Sequence, residues 1–296
     1  MAEAEQTTPG GAKRVTGLEG LDAATHGGLP EAGLTLVMGQ AGTGKTVLGL
    51  QLLAAAIDRG EAGVLVSFEE APDQLARNAT SFRWGQNLQE SDKLAILDGR
   101  PRRDSEATGR FDVEGLIALL DAQIGQLAAD WLVLDGIDQL LRLQPDEAAA
   151  VAEVQRLDDW CRRRRLTAVL TAKQTDPGTT TAAYLAGIEF MLSTILVMTA
   201  EVVERRLNRR FRIIKYRGSD HVTDELPVVM DAGGINLPSA TAFASVSGAE
   251  VAPERVSTGI PRLDTLLDGG YYRGSSILVS GSPGTAKTTL GGAFAA

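Results

Sequence analysis

The eight residues from Gly39 carry the most specific chemistry in this sequence. Gly39-Gln-Ala-Gly42-Thr43-Gly44-Lys45-Thr46 has the spacing G-x-x-x-x-G-K-[ST]. Glycines at these places let successive backbone N–H groups turn inward around an anion. A helix opening at Lys45 would add the positive end of its dipole. In that setting Lys45 reaches the β- and γ-phosphates of ATP, the Thr46 hydroxyl binds Mg2+, and Val47 completes the contact set. Further along, Trp131-Leu-Val-Leu-Asp135 is an apolar run closed by a carboxylate. This is the form of a strand whose aspartate holds Mg2+, usually through water; Asp138 is the substitute carboxylate.

Two other segments are chemically suggestive and leave alternatives open. Glu69 and Glu70 follow the apolar run Val64–Phe68. They read either as carboxylates that orient a water for in-line attack or as a solvated acidic loop. If the chain stays extended they point to opposite faces, and only one faces the phosphate. From Glu201 to Arg217 there are seven basic residues and two acidic ones. A solvated face, a nucleic-acid stripe and cations directed at a neighbour's phosphate all fit that composition. The Arg162–Arg165 run reads as the basic end of a helix.

The elements that must position these residues follow from the apolar spacing. Short apolar runs at Leu34–Met38, Val64–Phe68, Leu94–Leu97, Trp131–Leu134, Ala168–Thr171, Ile195–Thr199 and Arg212–Tyr216 read as strands, the last two as a hairpin. Lys45 to Arg59, Phe111–Leu127 and Ala148–Arg164 read as helices. Strands alternating with helices imply an α/β fold with a mostly parallel central sheet flanked by helices. Ligands then sit at the carboxyl ends of the strands, where the motifs fall.

The sequence also repeats itself. Thr16–Gly17, Leu21–Asp22, Gly27–Gly28, Gly39, Gly42–Thr43 and Lys45–Thr46 recur, each displaced by 242 positions, the last three groups within Gly281-Ser-Pro-Gly284-Thr285-Ala286-Lys287-Thr288. A domain-sized period implies a tandem duplication. The expected organisation is a disordered leader over 1–13, a first domain over 14–238, a linker over 239–256, and the truncated start of a second copy over 257–296. Alanine stands at 286 where the first copy has Gly44. The second cradle survives if that position is already near helical φ/ψ.

Bulk composition narrows the classes. With 29 Lys and Arg against 38 Asp and Glu, the 296-residue chain carries a net charge of −9. It offers no global field for nucleic acid or anionic lipid. A single cysteine, Cys161, excludes an intrachain disulfide and fits a reducing compartment. No run of 18 apolar residues is present, so a soluble, cytoplasmic protein without a membrane span is expected.

From about Lys13 onward the chain resembles the KaiC-like ATPases of the RecA/RadA superfamily. The resemblance rests on the P-loop, HGGLP at His26–Pro30, SFEEAP at Ser67–Pro72, SFRW at Ser81–Trp84 and KYRGSDH at Lys215–His221. It implies a RecA-like P-loop fold and a slow, Mg2+-dependent ATPase assembled as a homohexameric ring with nucleotide between subunits, in a regulatory role such as circadian timing. It makes Glu69 and Glu70 the catalytic carboxylates and Ser81 a nucleotide contact. Lys215, Tyr216, Arg217, Ser219 and His221 become contacts to the adjacent subunit's ATP, with Arg217 acting in catalysis. Full-length relatives autophosphorylate through their second domain, at sites that lie beyond Ala296. Gly136 and Asp138 stand where the family has hydroxyl residues. The alternatives are a RadA-like nucleic-acid-binding ATPase and a nucleotide-gated scaffold for regulatory proteins.

Overall fold

The computed structural model describes residues 11–101, 113–174, 176, 178–238 and 254–295, in two compact units, Met1–Ser239 and Ala240–Ala296. In the first unit the chain runs β1 (Lys13–Arg14), α1 (Glu19–Ala24), β2 (Leu29–Pro30), β3 (Gly33–Gly39), α2 (Lys45–Asp58), β4 (Gly63–Ser67), α3 (Pro72–Ala79), α4 (Gly85–Glu90) and β5 (Leu94–Asp98). It continues through α5 (Val113–Leu127), β6 (Trp131–Asp135), α6 (Asp138–Leu141), α7 (Glu147–Arg164), β7 (Thr167–Lys173), α8 (Thr180–Met191), β8 (Thr194–Val203), β9 (Arg206–Tyr216), β10 (Leu226–Asp231) and β11 (Gly234–Asn236).

Nine strands form one sheet in the order β11-β10-β9-β8-β3-β7-β6-β4-β5. Strands β8 through β5 in that order are parallel, and β9, β10 and β11 extend the β8 edge antiparallel. Alternation along each strand divides the core in two. Leu34, Leu36, Val64, Leu132, Leu134 and Leu170 face one layer, with α5, α7 and α8 over them. Val37, Leu65, Val133 and Val169 face the other, under α2. A sheet covered on both sides needs strands apolar at nearly every position, and β3, β4 and β6 are buried throughout.

Helix ends follow local chemistry. The Asp146 carboxylate accepts from the Ala149 N–H at 2.8 Å and opens α7, and the Thr179 hydroxyl does the same for α8 through Ala182 N–H at 3.2 Å. Arginines crowd the last turn of α7, which Arg165 closes in the left-handed region. Strands β8 and β9 form the expected hairpin, longer than the apolar runs alone indicate. Its turn residues Glu204 and Arg205 both have positive φ, 50° and 65°, as a two-residue type I′ turn requires. Cys161 is buried in α7, and burial pushes its thiol up, so it is chemically quiet.

Most of the expected leader and linker, and the expected helix start at Phe111, lie outside the described residues. Lys13, placed in the leader, instead pairs with Pro30 in β1–β2. Arg255 and Val256, placed in the linker, form β12 (Arg255–Val256), which pairs with β13 (Tyr271–Tyr272) after α9 (Pro261–Leu266). A last helix, α10, spans Lys287–Ala295.

The second unit reproduces the first copy's local geometry at the same displacement. Asp22 accepts from Thr16 N–H at 2.8 Å and Asp264 from Thr258 N–H at 2.7 Å. Gly27 and Gly28 have φ of 122° and 116°, and Gly269 and Gly270 have 116° and 111°. The apolar stretch before Gly281 is not a strand in this unit, and Leu278 is 90% exposed, whereas its counterpart Leu36 is fully buried in β3. The difference is one of neighbours: β3 lies between β7 and β8.

Candidate nucleotide site at the carboxyl edge of the sheet

Between β3 and α2 the P-loop turns tightly. Gly42 and Gly44 have φ of 79° and 107°. A Cβ on Gly44 would also sit 2.6 Å from Met230 Cε. The loop is braced by the Thr43 hydroxyl, which donates to Gln40 O at 3.0 Å, and by Arg209, which donates to Gly42 O at 3.3 Å. Lys45 lies back over the loop, donating to Gly39 O at 2.9 Å and Gln40 O at 3.1 Å. Burial pushes its pKa down, and the carboxylates of Glu69, Asp135 and Asp138 oppose that.

The P-loop residues Gly42, Gly44, Lys45, Thr46 and Val47 line one cleft of about 310 Å3 with Glu69, Glu70, Asp135, Gly136, Asp138, Thr171 and Lys173. Sheet order explains the gathering, because β4, β6, β7 and β3 are successive neighbours with their carboxyl ends aligned. Thr46 Oγ1 donates toward both Asp135 oxygens, at 3.0 and 3.2 Å, and Thr171 Oγ1 donates to Asp135 Oδ1 at 2.6 Å. Burial pushes the Asp135 carboxyl up, while these hydroxyls and Lys45 pull it back. One hydroxyl and one carboxylate side by side could hold Mg2+ jointly with substrate phosphates.

Glu69 and Glu70 both reach the cleft. The chain does not stay extended after β4: Phe68 to Glu70 form a bend, so the opposite-face expectation does not apply. Glu69 lies against Gly136, where a Cβ would come within 2.6 Å of Glu69 Cγ. Glu70 accepts from Asn78 Nδ2 at 3.0 Å. Asp138 is fully buried, accepts from Lys173 N–H at 2.9 Å and stands 3.9 Å from Arg142. Ser81 is exposed in the turn after α3 and is not among the cleft-lining residues.

The other candidate cations stand at the opposite edge. Tyr216 pairs with Thr194, which pairs with Thr35, whereas Gly39 pairs with Met198. At ~3.3 Å per residue the offset from Thr35 to Gly39 is roughly 13 Å, so Arg217 cannot serve the P-loop of its own chain. Lys215 donates to Glu189 O and Phe190 O at 2.8 and 2.9 Å, and Arg217 to Phe190 O at 3.3 Å. Burial and the neighbouring Arg217 push the Lys215 pKa down. The Tyr216 side chain is turned inward: it is 7% exposed and donates to Gly28 O at 2.9 Å. Ser219 accepts from Lys13 Nζ at 2.5 Å. The His221 ring stacks on Tyr216, and its buried Nδ1 has no partner among the described residues. The basic stretch is not one uniform stripe, since Arg209 braces the P-loop and Arg210 pairs with Glu225 at 3.0 Å.

The second P-loop copies the folded-back lysine: Lys287 donates to Gly281 O and Ser282 O at 2.6 and 2.8 Å, and Thr285 to Ser282 O at 2.8 Å. Gly284 keeps its positive φ of 85°. Ala286, however, has φ of 58°, left-handed and not helical, so the condition for an unstrained cradle is not met. Lys287 opens the helix behind it, with Thr288 in the first turn.

Cleft-lining residues that sequence reasoning missed are Thr171, Lys173 and Met230. None stands at a fixed spacing from the P-loop or Asp135; only the sheet order makes them neighbours.

The family described as "ATPase: KaiC" matches residues 15–241 and 256–296. The chain is 38% identical over 286 residues to circadian clock protein KaiC2 of Synechocystis sp., covering 95% of this chain and 49% of that protein. It is 35% identical over 283 residues to the circadian clock oscillator protein KaiC of Prochlorococcus marinus, covering 94% and 56%, and 36% identical over 284 residues to that of Parathermosynechococcus lividus, covering 94% and 51%. The chain thus spans about half the length of these relatives. With the family match covering residues of both units, the chain belongs to the KaiC ATPase family.

Proposed function

We propose that this chain binds ATP with Mg2+ and hydrolyses it slowly at the interfaces of a homohexameric ring, in a regulatory role like that of the circadian clock proteins it resembles. One observation carries the reading: the P-loop, Asp135 and two glutamates converge on one cleft at the carboxyl ends of adjacent strands. Backbone N–H groups of the loop and Lys45 hold the phosphates. Thr46 and Asp135 are the residues that would hold Mg2+, which would supply charge neutralisation to the phosphates. Glu69 and Glu70 orient and polarise the water, whose oxygen bonds to phosphorus as the bond to the ADP oxygen breaks. Lys215 and Arg217, remote from their own P-loop, supply positive charge to the neighbour's site. No helix among the described residues is long and apolar enough to cross a membrane, and the cytoplasm is the proposed location.

Phosphate release from the purified chain tests this. Glu69→Gln/Glu70→Gln is expected to keep ATP affinity within about threefold and to lower kcat at least a hundredfold, within the range of general-base contributions of about 10²–10⁴. Unchanged phosphate release in that variant removes the pair from catalysis.

A further inference from the structure

Lys173 ends β7 in register with Gly39, the first glycine of the P-loop. Along the sheet order β3-β7-β6-β4, the carboxyl ends present in turn the P-loop, Lys173, Asp135 and the two glutamates. Alternation puts Lys173 on the same face as Thr171, whose hydroxyl reaches Asp135. Val169, two residues earlier again, belongs to the core beneath α2, so this is the face of the P-loop helix. Lys173 lines the P-loop cleft, and its charge reinforces burial in holding the Lys45 pKa down. Its backbone N–H donates to buried Asp138, which fixes the strand end. Among the described residues its ammonium has no hydrogen bond or ion pair, whereas Lys45 is occupied by the loop carbonyls.

Two ammonium groups facing one cleft repel each other until an anion lies between them. The sheet order places Lys173 between the P-loop and the metal-binding carboxylate, on the path toward Glu69 and Glu70. On the P-loop reading, this is where the end of the phosphate chain, the phosphorus that water attacks, would lie. We propose that Lys173 is a second phosphate-binding cation, contacting the terminal phosphoryl group of a nucleoside triphosphate from the β7 side and helping the site distinguish triphosphate from diphosphate. This rests on the P-loop reading above. A diphosphate ends short of Lys173, so the contact is made with ATP and in its transition state, and not with ADP.

The test uses the full chain with Mg2+, comparing affinity for ADP with affinity for the non-hydrolysable triphosphate AMP-PNP, alongside phosphate release from ATP. Lys173→Met is expected to weaken AMP-PNP binding and lower kcat by about tenfold to a hundredfold, the range of a lost hydrogen bond to a charged group, with ADP affinity within twofold. Lys173→Arg is expected to recover most of both. An unchanged AMP-PNP-to-ADP affinity ratio in Lys173→Met, or an equal loss for both nucleotides, overturns the proposal. Lys45→Met separates the two ideas. If it abolishes binding of both nucleotides while Lys173→Met keeps the ratio, only the Lys173 assignment falls; if it leaves both bound, the P-loop reading itself falls.

Discussion

Gly136 is the residue on which the placement of Glu69 depends. It follows Asp135 with φ of 84°, and its missing side chain leaves room for the Glu69 stem, which a Cβ would meet at 2.6 Å. Gly136→Ala therefore both strains the backbone, by roughly 1–2 kcal/mol, and displaces one of the two carboxylates proposed to act in catalysis. The expected result is a lower kcat with nucleotide affinity nearly unchanged, together with a lower unfolding midpoint. A variant that is destabilised but keeps full kcat shows that Glu69 works from another position. The P-loop and Asp135 are legible in the sequence because each is contiguous, one as a fixed spacing and the other as an apolar run closed by acid. The joint orientation of Glu69 and Glu70 is not, because it depends on a bend after β4 that neither residue type dictates. Thr171 is hidden for a different reason: its hydroxyl meets Asp135 across a strand boundary, 36 positions away in sequence.

At the scale of elements, the long buried strands and α2 are legible, since apolar runs on a doubly covered sheet leave few alternatives. The short helices α3 and α4 and the helix α8 are not, although Pro72 at the first turn of α3 and the Thr179 cap are signals in the sequence. The same rules of termination make α7 a place to test. Arg165 closes it with φ of 57° and ψ of 37°, a conformation that glycine adopts freely. Its exposed pair with Glu31, at 2.9 Å, is screened by solvent and worth about 0–1 kcal/mol. Relief of the left-handed strain, roughly 1–2 kcal/mol, outweighs that pair and the added entropy of an unfolded glycine. Arg165→Gly is expected to raise the midpoint of thermal unfolding by about 1–3 °C, measured by circular dichroism, with ATP turnover unchanged. A fall in the midpoint shows that the ion pair dominates.

For the whole molecule, the decisive fact is that the nucleotide cleft and the Lys215–His221 segment occupy opposite edges of one sheet. Strand register keeps them apart, because β9 runs antiparallel to β8 and delivers its last residues to the end where β3 begins. On the proposed reading a chain so built carries half of a site at each edge, and a ring of identical chains would bring the halves together at every interface. This geometry yields a test that no mechanism contained within one chain can pass. Lys45→Ala removes the phosphate-binding lysine but leaves the opposite edge intact, and Arg217→Ala does the reverse. Each variant alone is expected to release phosphate at under about a tenth of the normal rate, given that a trans cation contributes about 10³–10⁵ in related phosphoryl transfers. Mixed and allowed to exchange subunits, they form some interfaces with an intact P-loop on one side and an intact Arg217 on the other. In an equal mixture a quarter of random interfaces are of that kind, so up to about a quarter of normal turnover should return, rising with the time allowed for exchange. If the mixture stays as inactive as its parts while native mass spectrometry shows that both variants share rings, Arg217 does not act on its neighbour's nucleotide.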